Sequence, residues 1–150
     1  MEVKRWRVFL DTSALIAGVI SPTGAAREVL RLCEARLVDL VVSRQVLTEA
    51  DRNLSAKLPE VLPDYRALLT QLAPQIVEDP APEAVKEAAR IIHHKDAPIL
   101  AAAREAEVDY LVSWNTRHFH TGAVRAFVSF PVVTPGELLK DFRRTLPTDL

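Results

Sequence analysis

With 150 residues, 49 % hydrophobic and 26 % charged, the chain can bury about 70 % of the surface its unfolded form exposes, and no apolar run nears the length of a membrane span. A formal net charge of −1 excludes the broad basic excess of a protein that grips nucleic acid over a wide face. The single cysteine, Cys33, excludes an internal disulfide and a thiolate zinc cluster, which fits a reducing, cytoplasmic setting.

The opening MEVKRWRVFLDTS reads as a first strand rather than a secretory leader, because the apolar run Val8, Phe9, Leu10 is short and closes on Asp11. Small residues at helical spacing follow: Ala14, Leu15, Ala17 and Gly18. A buried strand that carries a carboxylate to its carboxyl end, where a helix starts, is how open α/β sheets present reactive groups. Pro22 and Gly24 mark a loop, and residues 25–34 are predicted to form an amphipathic helix. Cys33 falls in phase there with Ala26, Val29 and Leu30 and is predicted to be a small core residue.

Residues 38–42 are predicted as a strand, after which Ser43 can cap a helix running through Val46, Leu47, Ala50 and Leu54 with Glu49 near its middle. Pro59 and Pro63 are expected to close that segment. Helical phase returns at Tyr65, Leu68, Leu69 and Leu72 and stops at Pro74. A brief strand at 75–77 leads to a Pro-rich turn, then to helical spacing at Val85, Ala88, Ala89 and Ile92. His93, His94 and Lys95 interrupt it before a new helix opens around Asp96 to Pro98.

Residues 110–113 are again strand-like and end at Trp114 and Asn115. Residues 127–133 are weakly strand-like, and Pro135 suits the first turn of a last helix through Phe142. Strands alternating with helices, with no repeat or linker, predict one α/β domain over residues 1–150 with a largely parallel sheet.

Four polar positions stand out at element ends or on a helix: Asp11, Glu49, Asp96 and Asn115. Carboxylate oxygens are hard ligands suited to Mg2+ or Mn2+, and such a site suits phosphodiester hydrolysis. Each residue also has a plainer use. Asp11 could cap the next helix, Glu49 could pair with Arg52 or Asn53, Asp96 could favour a helix dipole, and Asn115 could serve a turn. Ser13 could bond a carboxylate or cap the helix, and Lys95, Arg117 and His118 could meet phosphates or solvent. The four histidines are expected on loops, without the helical pairing of a zinc site.

The stretches VFLDTSALIAGVIS, VVSRQVLTEADRNL, KDAPILAAAREAEVDYLVSWNTRHF and VVTPGELL, in that order, resemble the PIN-domain nucleases, which include the VapC-type toxins of bacterial toxin–antitoxin systems. The resemblance implies a PIN-like three-layer α/β/α sandwich with a mostly parallel sheet of about five strands. It also implies a metal-dependent endoribonuclease using Mg2+ or Mn2+, with Asp11, Glu49 and Asp96 as metal-site acids and Asn115 completing the set. RNA is the implied substrate, an antitoxin protein a possible partner, a homodimer the implied assembly, and a membrane is not involved.

Asn115 departs from the aspartate usual at that place, which predicts one cation held firmly and a second held weakly. His93-His94-Lys95 departs too, where related sequences often carry more acids. A catalytically weak PIN-fold RNA- or protein-binding module therefore stays open beside the nuclease. A phosphotransfer enzyme with Asp11 as nucleophile fits less well, since Ser13 stands where a second aspartate is wanted.

Overall fold

The computed structural model describes residues 4–147. Five short strands, β1 (Arg7–Leu10), β2 (Asp39–Ser43), β3 (Gln75–Val77), β4 (Tyr110–Val112) and β5 (Val132–Val133), form one sheet in the order β3-β2-β1-β4-β5. All four pairings are parallel, with Phe9 opposite both Val41 and Leu111. The central strand is apolar on both faces because helices cover both: Val8, Phe9 and Leu10 are fully buried. The fold is the α/β sandwich that the alternation of elements predicts.

Helix α1 (Thr12–Ile20) leaves β1 directly, and α2 (Ala25–Glu34) packs across it. Gly18 permits the close approach, since a Cβ there would lie 2.6 Å from Leu30 Cδ1. Ala26, Val29, Leu30 and Cys33 form the buried face of α2, and burial pushes the Cys33 thiol up to about 12. Ser43 Oγ accepts the Val46 amide at 3.2 Å to start α3 (Arg44–Lys57).

Pro59 and Pro63 do not simply close that segment. Pro59 opens a single 3-10 turn, and Pro63 sits in the first turn of α4 (Leu62–Leu72), where its missing amide hydrogen would have had no helical partner. Helix α5 (Pro82–Ala88) is shorter than the spacing predicts. Residues 89–92 turn instead, which still buries Ile92. Helix α6 (Ala97–Ala106) starts as expected, with Asp96 at the capping position and Pro98 in the first turn.

The predicted strand at 127–133 is mostly something else. Two short helices, α7 (Thr116–Phe119) and α8 (Gly122–Phe127), precede it and take Phe127, residues 128–131 are irregular, and only Val132 and Val133 pair with β4. Thr121 Oγ1 accepts the Val124 amide and so starts α8 locally, a signal that the apolar run beyond it conceals. Thr134 and Glu137 form a reciprocal capping box ahead of α9 (Pro135–Arg143). Among the described residues no helix is long and apolar enough to cross a membrane.

Candidate active site

The strand order places β1 and β4 side by side at the centre, where the chain has wound outward in both directions. At such a switch point the connections leave on opposite sides, so a crevice opens beyond the carboxyl ends of the strands. A cleft of about 260 Å3 lies there, and Asp11, Glu49, Asp96 and Asn115 all line it.

Asp11 forms the floor. It is 3 % exposed, and its carboxylate takes hydrogen bonds from three donors: Ser13 Oγ at 2.7 Å, the Ala14 amide at 2.9 Å, and Ser113 Oγ. The serines are held in turn. The Trp114 amide donates to Ser13 Oγ at 3.0 Å and the Asn115 amide to Ser113 Oγ at 2.9 Å. A relay of donors thus runs from the β4 loop through two hydroxyls to one carboxylate. Burial nevertheless pushes the Asp11 carboxyl above its ordinary value, against the pull of those three hydrogen bonds and with the negative charge of Asp96 adding to the rise.

Asp96 stands at the start of α6 but caps nothing. Its Oδ2 lies 2.7 Å from His118 Nδ1 on α7, and that imidazole stacks on His93 with centroids 5.6 Å apart. His118 is therefore on a helix rather than a loop, and its partner is an acid of the cleft. Glu49 pairs with neither Arg52 nor Asn53 through its carboxylate. Thr12 Oγ1 and Gln45 Nε2 each donate to it at 2.9 Å, while Asn53 Nδ2 donates to the Glu49 carbonyl. Asn115 Oδ1 accepts the His118 amide at 3.2 Å and caps α7.

Of the outer residues, Ser13 reaches Asp11 as described. Lys95 lines a second hollow that shares Glu49, Asn53 and Asp96 with the acid cleft, and Arg117 is exposed on α7. Sequence reasoning missed Ser113, Thr12 and Gln45. Ser113 had a legible signal, a hydroxyl at the end of the strand that leads to Asn115. Gln45 had one too, standing four residues before Glu49 on the same helix, whereas Thr12 had none, because it meets Glu49 only through the packing of α1 on α3.

Among the described residues no three Asp, Glu, His or Cys side chains converge as a ready cage for a metal ion. The donor set still fits a hard divalent cation, since carboxylate and amide oxygens are its ligands and magnesium takes only one or two protein carboxylates, filling the rest with water and substrate oxygens. The smaller contribution of the Asp96 charge to the rise at Asp11, beside that of burial, points the same way, since a cation bound there would offset it.

Among solved structures, the chain is similar to PAE2754 from Pyrobaculum aerophilum, with a TM-score of 0.60 and 19 % identity over 91 % of this chain and 97 % of that one. It is also similar to VapBC2 from Rickettsia felis, solved bound to a DNA fragment from their promoter, with a TM-score of 0.62 and 15 % identity over 85 % and 96 % of the two chains. At such identities the likeness is one of fold. No curated protein sequence matches. The sequence profile of the PIN domain matches residues 7–117, from the first residue of β1 into α7, a span that contains Asp11, Glu49, Asp96 and Asn115: the chain belongs to the PIN domain family.

Proposed function

We propose that this protein is a metal-dependent endoribonuclease that hydrolyses RNA phosphodiester bonds. The observation that carries the reading is the cleft at the carboxyl end of the sheet, which gathers Asp11, Glu49, Asp96 and Asn115 from four separate parts of the chain. A structural role for each acid would not need them in one place, and like charges brought together are unfavourable without a counter-ion.

Asp11 and Asp96 would hold Mg2+ or Mn2+, with Glu49 and Asn115 on its other sides. When bound, that ion polarises a phosphoryl oxygen and lowers the pKa of a bound water. The chain's own residues do the rest. Ser13 and Ser113 fix the Asp11 carboxylate through both oxygens, so it cannot swing with substrate. Thr12 and Gln45 aim Glu49 across the cleft, where it orients the attacking water. Lys95 and Arg117 meet backbone phosphates of the RNA.

By its resemblance to VapC-type toxins the protein acts as the toxin of a toxin–antitoxin pair, a homodimer whose antitoxin controls access to the cleft. A second reading, a catalytically weak binding module, has its own support: Asp96 is already engaged by His118 and Asn115 supplies no charge. Cleavage of RNA that Mn2+ supports and a chelator stops is expected. An absence of metal-dependent cleavage, with RNA or a protein partner still bound, would give the second reading the field.

A further inference from the structure

The two tryptophans are used differently. Trp6 packs into the molecule, its ring 4.7 Å from Tyr110 and 5.7 Å from Phe142. Trp114 is 44 % exposed, although it stands between a buried serine and a cleft residue. Its backbone is pinned on both sides: the amide donates to Ser13 Oγ at 3.0 Å, and the carbonyl accepts the Thr116 amide at 2.9 Å. The backbone that carries this ring is thus tied to Ser13 of the acid cleft, and much of the side chain is left to water.

Resting on the nuclease reading above, we propose that Trp114 is a stacking surface for an unpaired RNA base next to the bond to be cut. An indole on a rigid loop offers a base face-to-face contact at little entropic cost, and every base has a face to give. A neighbouring hollow adds positive charge. The second hollow, which shares Glu49 and Asp96 with the first, carries the exposed cations Arg52 and Lys95, from α3 and from just before α6. A single strand bound at the cleft then has these cations for its phosphates and the ring of Trp114 for a base. A duplex keeps its base faces stacked inside and has little to lay on Trp114, so this contact discriminates in favour of a single strand.

The test uses the full chain, Mn2+ and short oligoadenylate, with an RNA duplex as the control. Trp114→Ala is expected to raise KM for the single strand about tenfold or more with kcat little changed, and Trp114→Phe to recover most of the loss. Oligoadenylate should quench the wild-type indole emission, and this quenching should vanish in Trp114→Phe, where only Trp6 still emits. An unchanged KM in Trp114→Ala, with wild-type cleavage intact, overturns the stacking role and leaves the nuclease standing. Quenching without cleavage supports the stacking role and overturns the nuclease. Neither quenching nor cleavage overturns both.

Discussion

The two ends of the parallel sheet handle charge in opposite ways. At the amino end lie arginines committed to helix C-termini. Arg36 donates to the carbonyls of Cys33, Leu72 and Gln71 at 3.0, 2.8 and 3.0 Å, and so ties the ends of α2 and α4 together. Arg7 does the same for α6 through the Ala106 carbonyl. Cations on the exposed carbonyls at helix ends are favourable both as hydrogen bonds and against the helix dipole. At the carboxyl end the acids also sit near helix starts, yet Asp96 makes no cap and its charge raises the Asp11 carboxyl further. One end uses charge only to hold the scaffold; at the other Asp11 does cap α1, but Asp96 beside it caps nothing.

The strongest way to break that contrast is to neutralise the acids. Asp11→Asn and Asp96→Asn are each expected to reduce Mn2+-dependent RNA cleavage by more than about a hundredfold, the range that loss of a merely supporting partner already reaches at metal sites. Both variants should melt within a few degrees of wild type. Asp11 is ionised only against its burial, so a neutral side chain removes a penalty along with its hydrogen bonds. Cleavage assays alongside thermal melts separate the outcomes. A variant that unfolds while the remaining folded fraction still cuts RNA would make the acid a structural residue.

The mirror experiment is Arg36→Ala. It removes three charge-assisted hydrogen bonds from a partly exposed site and is expected to lower stability by about 1–2 kcal/mol, with activity per folded molecule unchanged. Arg36 also sits at φ 62°, in the left-handed region where a non-glycine residue is strained. Arg36→Gly relieves that strain and loses the same bonds, so its cost should be the smaller of the two. Equal costs would show that the backbone conformation contributes nothing there.

A scaffold position away from both ends gives a change of opposite sign. Tyr65 on α4 is buried, and its hydroxyl has no hydrogen-bond partner. Tyr65→Phe is therefore expected to stabilise the fold, by about 1 kcal/mol. Burial pushes the Tyr65 phenol up to about 12, so the folded state holds its proton more tightly than the unfolded state does. The stability linked to that proton is complete below the ordinary value of 10.0 and is lost as pH climbs through about 12. Melts across the alkaline range should show this decline in wild type and its absence in Tyr65→Phe.

Legibility from sequence followed the range of the interactions. The central strands and the helices α2, α3 and α6 were readable because burial imposes a period on neighbouring residues. Helices α7 and α8 were not, since each is a few residues long and rests on a single cap from Asn115 or Thr121. Asp11, Asp96 and Asn115 could be named because strand ends and helix starts are local events, whereas Glu49, inside α3, was singled out as an acid on a helix and given its role by the family resemblance. What holds them was legible only in part: Ser13 was named, but Ser113 reaches Asp11 only through the pairing of Leu10 with Val112, and His118 reaches Asp96 across a whole βα unit. The left-handed Arg36 was invisible for a similar reason: its carbonyl partners on α4 lie far along the chain.

The smallest expected effect sharpens the comparison most. If the carboxyl end gathers acids for a cation, its weak corner is Asn115, whose side-chain oxygen is shared with the His118 amide. Asn115→Asp keeps an oxygen on that amide, because aspartate caps helices as well as asparagine does. It adds one negative charge to the cleft and nothing else. Without metal the variant should be slightly less stable, since a further anion joins Asp11 and Asp96. With Mn2+ it should bind the ion a few-fold more tightly by calorimetry. Both signs follow from one added charge, so a variant that loses stability without gaining affinity would show that the acids at this end do not converge on a cation at Asn115.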